Sequence, residues 1–193
     1  MNDKLAAFVF RTRGLYMFIA LATSMVLKYQ SHQTTPPLLF FTGLVIAFGI
    51  QGFRMYSASY LWGKQAVTEL GADFLCTSGP YAYTRNPLYL GNLLIGLGGC
   101  IAINEWYAYL LFALSWVLVY TVVIPYEERF LQKKFGHAYI EYMAQTGRLI
   151  PRLRGYKGTA HVIPDYKAGI LGEIHVPVFL AILFAVIYML FVR

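Results

Sequence analysis

The sequence predicts an all-α integral membrane protein of about five transmembrane helices, with a cofactor-binding region gathered at its cytoplasmic side. Three observations carry this. The chain is 58% hydrophobic and only 13% charged, against about 45–50% and 25% in soluble domains. Its apolar residues fall into long runs separated by polar stretches. With the N-terminus inside, fourteen of the sixteen Lys and Arg lie in inner segments, leaving Lys28 and Arg193 outside, as the positive-inside rule requires. The formal charge of +7 therefore reads as orientation, not as a nucleic-acid surface. The C-terminus is expected outside.

Residues 1–13 place Lys4, Arg11 and Arg13 around an apolar patch, and form a short interfacial helix or an early start of the first span. No secretory leader is expected there. Span one is 14–30, at the short limit for crossing a bilayer. Pro36-Pro37 closes a polar turn and opens span two, 37–53; the alternative is a helix that continues to about Trp62 through an aromatic, interfacial stretch with Arg54, Tyr56 and Tyr60. Residues 66–85 read as loop, with a short strand-like piece at 74–77. Span three, 87–104, is rich in glycine, which lets neighbouring helices approach closely. Asn104-Glu105 is a tight turn. Span four, 106–126, has no charge. Residues 127–144 look helical, and 170–192 is span five. We divide the chain into N-terminal helices, 1–62, and a catalytic region, 63–193. Cys76 and Cys100 lack metal or redox spacing and read as buried thiols. The four histidines are scattered, so no metal site is expected.

Two polar stretches, 73–91 and 126–151, face the same side under this topology. In the first, Asn86 is a good N-cap and Pro87 a good first helical residue. The helix start then offers free N–H groups and a positive dipole end to a carboxylate or phosphate, with the Arg85 fork beside it. The bland alternative is a capped membrane helix with an interfacial Arg. In the second stretch, Glu127 and Glu128 sit at the C-terminal end of span four, the wrong end of the dipole for anions. Carboxylates next to hydrocarbon are costly and tend to be functional; the alternative is a solvated pair with Arg129 and Lys133 nearby. Lys133, Lys134, Arg152, Arg154 and Lys157 suit anionic lipid headgroups or plain solvation. An anion clamp, a carboxylate and a shelf of tyrosines match S-adenosyl-L-methionine, whose sulfonium is attracted to aromatic faces.

The runs SGPYAYTRNPLYLG (78–91) and YEERFLQKKFGHAYIEYMAQTGRLIPRL (126–153) resemble the integral-membrane methyltransferases. That group includes isoprenylcysteine carboxyl methyltransferase and the phospholipid N-methyltransferases, and the likeness is greatest to prokaryotic isoprenylcysteine-methyltransferase homologues. Its pattern is roughly G-x-Y-x-x-x-R-H-P-x-Y-x-G, then E-E, then F-G-x-x-Y-x-x-Y and a basic-Pro end. The resemblance implies that Asp73, Phe74, Leu75, Cys76, Tyr81, Asn86, Pro87, Leu88, Tyr89 and Glu127 hold S-adenosyl-L-methionine near the cytoplasmic surface, with S-adenosyl-L-homocysteine as product. It also implies a tunnel from the bilayer for a lipophilic or lipid-modified acceptor. Asn86 stands where the family has His, so a His base there is not essential. Val123 stands where the eukaryotic enzymes have an Arg tied to the acceptor carboxylate, so that contact does not carry over.

Methyl transfer from a sulfonium needs alignment and desolvation more than acid–base help. The catalytic candidates are Arg85, Tyr89 and Glu127. A prenylcysteine-type α-carboxylate is the expected acceptor; a phospholipid or small amine is the alternative. Related membrane reductases that bind NADPH give a reading from a different class.

Overall fold

The computed structural model describes residues 3–61, 72–158 and 162–192. Among them it is all-helical, with two isolated bridges in place of strands. Helix α1 (Asp3–Ser31) is one continuous element: the early start is the alternative realised, and no separate interfacial helix precedes it. Pro37 opens α2 (Pro37–Ser59), which ends before Tyr60. Tyr60 and Leu61 form a turn, so the helix does not run on to Trp62; residues 66–71 of the expected loop lie outside the described residues, as does the boundary between the two regions. Residues 74–77 are irregular loop, not a strand-like piece.

Helix α3 (Pro87–Ile103) stops where Asn104 turns left-handed at φ 57°, a conformation Asn tolerates better than most residues. Helix α4 (Trp106–Leu118) passes through a π-helical turn, Val119–Val123, into α5 (Ile124–Phe135). Pro125 has no N–H for the ladder, which is one reason the regular spacing fails there. The helix expected over 127–144 is broken. Gly136, at φ 55°, ends α5 and opens α6 (His137–Gln145). The last span is likewise two pieces, α7 (Tyr166–Glu173) and α8 (His175–Phe191), bent by 43°. Pro177 cannot donate to the Glu173 carbonyl four residues back, so the ladder is interrupted at the bend.

Among the described residues, three helical stretches are long and apolar enough to cross a membrane: Lys4–Ser31, Pro37–Ser59 and Trp106–Phe135. The bent pair α7–α8 makes a fourth if counted as one span, while α3, with 17 residues, is shorter than the rest. Helices α2 and α3 lie closest. A Cβ at Gly43 would strike the Gly98 carbonyl oxygen, so only glycine permits this approach. One apolar core joins Leu21, Phe40 and Ala47 to Cys100, Phe112, Leu180 and Phe184, across the expected regional boundary. A second packs Val9 and Phe10 of α1 against Trp116, Val119 and Val123.

The helix ends gather at two poles. At one, the fully buried Lys28 donates to the Ile103 carbonyl at 2.6 Å and pairs with Glu105 at 3.3 Å, and the Thr35 N–H donates to the Phe191 carbonyl at 2.7 Å. The start of α3, the loop before it and α5–α7 lie at the other pole, where both polar stretches meet.

Candidate functional site

The loop before α3 is laced to the segment after α6. The Arg85 N–H donates to the Gly147 carbonyl at 2.9 Å, Asn86 Nδ2 to the Arg148 carbonyl at 2.8 Å and Thr84 Oγ1 to the Leu149 carbonyl at 3.1 Å. Tyr142, buried on α6, donates its hydroxyl to the Tyr81 carbonyl at 2.6 Å. Residues some sixty positions apart thus form one wall.

The side chain of Asn86 does not cap α3. It is turned to the Arg148 carbonyl, which leaves the first-turn N–H groups of α3 without the side-chain partner expected from the sequence. Arg85 is not a free fork either. Its Nε donates to Glu128 Oε1 at 2.9 Å, and its Nη1 donates to the carbonyls of Met143 at 3.0 Å and Thr146 at 2.6 Å. A cation on the last carbonyls of α6 is well placed for that helix's dipole. Glu128 takes a second cation, Arg148 Nη2, at 2.7 Å. Of the adjacent carboxylates, Glu128 is therefore the structural one.

Glu127 instead faces a cavity of about 730 Å³, within the usual range for small-molecule sites. Arg85, Asn86, Pro87, Leu88, Tyr89, Phe74, Leu75, Cys76 and Tyr81 line the same cavity. Of the residues expected from the sequence, the exposed Asp73 is not in that lining. The phenols of Tyr81 and Tyr89 are buried, at 7% and 8% exposure; the Tyr81 hydroxyl has no hydrogen-bond partner among the described residues, and the Tyr89 hydroxyl faces the Glu127 carboxylate. Buried hydroxyls are nearly always paired, so the orphan at Tyr81 and the Tyr89–Glu127 pair mark places in one cavity where a ligand's polar groups fit. Cys76 donates to the Tyr60 carbonyl at 3.7 Å, and burial pushes its thiol up to about 11, so it stands there neutral.

Sequence reasoning missed part of this lining. Arg13 comes from α1, its guanidinium over the Phe10 ring at 4.1 Å. Arg54 of α2 pairs with Glu173 of α7 at 2.9 Å, both buried. The available signal was a charge inside an apolar helix run, which we assigned to the interface. Gly91 makes room for Arg54, because a Cβ there would run into its Cγ. Tyr139 and Tyr142 complete the wall. Val123 is fully buried against α1 and does not line the cavity.

The profile of the phospholipid methyltransferase family matches residues 37–138. The chain belongs to the phospholipid methyltransferase family. It is 36% identical over 124 residues to the cobalt-zinc-cadmium resistance protein CzcN of Cupriavidus metallidurans, covering 62% of this chain and 56% of that one. It is 31% identical over 111 residues to the nickel-cobalt-cadmium resistance protein NccN of Alcaligenes xylosoxydans xylosoxydans, covering 56% and 51%. To protein-S-isoprenylcysteine O-methyltransferase B of Arabidopsis thaliana it is 27% identical over 129 residues, covering 59% and 66%. The chain thus spans about half the length of the first two relatives. No solved structure matches it. Family membership and the apolar helices make this methyltransferase-family protein an integral membrane protein.

Proposed function

We propose that the chain is an S-adenosyl-L-methionine-dependent methyltransferase that acts in the membrane on a lipophilic acceptor, a prenylcysteine-type α-carboxylate. One observation carries the reading. A single cavity of about 730 Å³ joins both motif stretches and holds Glu127 with two buried phenols, that of Tyr89 facing the carboxylate and that of Tyr81 without a partner. The family match and the isoprenylcysteine methyltransferase among the relatives support it.

When bound, S-adenosyl-L-methionine supplies a methyl group that a carboxylate oxygen takes as the carbon–sulfur electron pair stays on sulfur, giving S-adenosyl-L-homocysteine and a methyl ester with no proton exchanged. The protein's part is to position and to exclude water. Glu127 receives the cofactor's ammonium or a ribose hydroxyl. The first turn of α3 receives its carboxylate. The hydroxyls of Tyr81 and Tyr89 bond to its polar groups, and their rings border the sulfonium. Arg85 works at one remove, by fixing the wall that carries Glu128 and α6. Asp73 shapes the rim of the loop.

We further propose five membrane passes, with the N-terminus and the cavity cytoplasmic, the C-terminus outside and the basic residues near 152–157 on anionic lipid. In spheroplasts, cysteine at position 32 (His32→Cys) should react with an impermeant maleimide, and Ile150→Cys only after lysis; the reverse pattern would invert the topology. The deciding experiment for function is a titration of purified protein with S-adenosyl-L-homocysteine and, as control, NADPH. Saturable binding of the first, lost in Glu127→Ala, is expected. Binding of NADPH alone would replace this reading with a reductase.

A further inference from the structure

The charges around the large cavity do not all cancel. Arg85 and Arg54 border it, each with its own carboxylate: Glu128 at 2.9 Å from Arg85 and Glu173 at 2.9 Å from Arg54. These four balance in pairs. Glu127 and Arg13 border the same space, and neither has an ion pair among the described residues. Arg11 is also in the lining, and its side chain is exposed. The interior thus keeps one carboxylate and one guanidinium whose charges the protein leaves unpaired.

Arg13 lies on α1 and is partly buried. Its guanidinium stands 4.1 Å over the Phe10 ring, and its Nη1 donates to the Phe10 carbonyl at 2.7 Å. Phe10 is itself 2% exposed and packs with Trp116, Val119 and Val123. The packing of α1 therefore fixes the guanidinium, while its other N–H groups have no partner among the described residues. Its charge acts on the Glu127 carboxylate and on the Tyr89 hydroxyl. A planar cation fixed in place without a counter-ion suits a carboxylate. Helix α1 lies outside the matched stretch 37–138, so the motifs shared with the family assign Arg13 no part.

We propose that Arg13 and Glu127 together hold the amino-acid end of S-adenosyl-L-methionine, Arg13 receiving its carboxylate and Glu127 its ammonium. This rests on the methyltransferase reading above and adds a cofactor-positioning residue from α1 to it. An α-amino acid carries both charges on substituents of one carbon, which matches a lining with one unpaired charge of each sign. Glu127 repels an anion that brings no ammonium of its own, so a plain carboxylate is a poorer occupant than the zwitterion. The carboxylate has two oxygens, so Arg13 and the first turn of α3 share it. The ammonium, not a ribose hydroxyl, then falls to Glu127. The site in this way selects nucleosides that keep the carboxylate.

The test compares S-adenosyl-L-homocysteine with its decarboxylated analogue, which keeps the ammonium, by calorimetry on the full chain in zwitterionic nanodiscs. The wild-type protein should bind the first about tenfold more tightly, the ratio a charge-assisted hydrogen bond gives. Arg13→Met should cut that preference several-fold by weakening the first ligand alone, and Arg13→Lys should restore part of it. Arg13→Gln, which keeps a donor without the charge, carries the comparison if Arg13→Met does not fold. Glu127→Gln should weaken both ligands alike. Equal binding of the two ligands by the wild-type protein, or an equal loss of both in the Arg13 variants, overturns the assignment of Arg13 and leaves the methyltransferase reading standing. Failure of the wild-type protein to bind S-adenosyl-L-homocysteine removes that reading, and this inference with it.

Discussion

Tyr81 shows most plainly what a site looks like at the scale of one residue. Its hydroxyl is buried and unpartnered, and an unpaired buried donor costs about 1–3 kcal/mol. Tyr81→Phe should therefore leave the ligand-free protein as stable or about 1 kcal/mol more stable, while S-adenosyl-L-homocysteine affinity falls about tenfold. Thermal denaturation with and without the ligand reads both numbers; loss of stability with unchanged affinity would make the hydroxyl structural. Cys76 offers a second reading at this scale. Burial holds its thiol near 11, well above the ordinary 9.0, so the reactive thiolate is scarce in the folded protein at neutral pH. Iodoacetamide should modify it slowly at pH 7.5, faster as pH rises towards 11, and slower still with the cavity filled. Fast modification at neutral pH would contradict the burial. The sequence made Glu127 legible, because a carboxylate at that helix end needs a reason. It could not assign the Arg85–Glu128 tie, which depends on where α6 packs. Nor did it reveal Arg54, whose partner is 119 residues away in the chain.

Among the elements, α6 is held by charge. Arg85 bonds its last carbonyls and Glu128 holds Arg85. Glu128→Gln leaves a buried guanidinium without its counter-charge, which costs about 3–5 kcal/mol. Arg148→Ala removes a partner that is 42% exposed and should cost under about 1 kcal/mol. Unfolding in mixed micelles distinguishes them; equal effects would mean that Glu128 is not the centre of the tie. Helices α1 to α4 were readable because their apolar runs are long and bounded by Pro36-Pro37, Asn86-Pro87 and Asn104. The breaks inside the later helices were less so. Gly136 and Pro177 are both visible in the sequence, yet each residue type also occurs within continuous helices, and packing decides which outcome holds. The π-helical turn at Val119–Val123 has no signal of its own beyond the nearby proline.

For the whole molecule, composition made the membrane class legible, and the two motif stretches were placed at one pole by the count of helices between them. The depth of each helix was not legible, since that depends on where packing starts and stops it. Helix α3 has 17 residues, about 26 Å at 1.5 Å each, beside the 30-residue α4–α5 stretch, about 45 Å. The hydrocarbon layer is about 30 Å thick. On the five-pass topology proposed above, α3 falls short of that layer, and the lipid around it must thin. That topology would match the protein to slim bilayers, since mismatch carries a strain that grows with each ångström. Methyl transfer should be fastest in short-chain myristoyl phosphatidylcholine and fall in long-chain erucoyl phosphatidylcholine, measured in vesicles at equal protein density. A rate indifferent to chain length would show that the dimple does not exist. If it does, lipid length sets how far the acceptor's head must climb to meet the methyl donor.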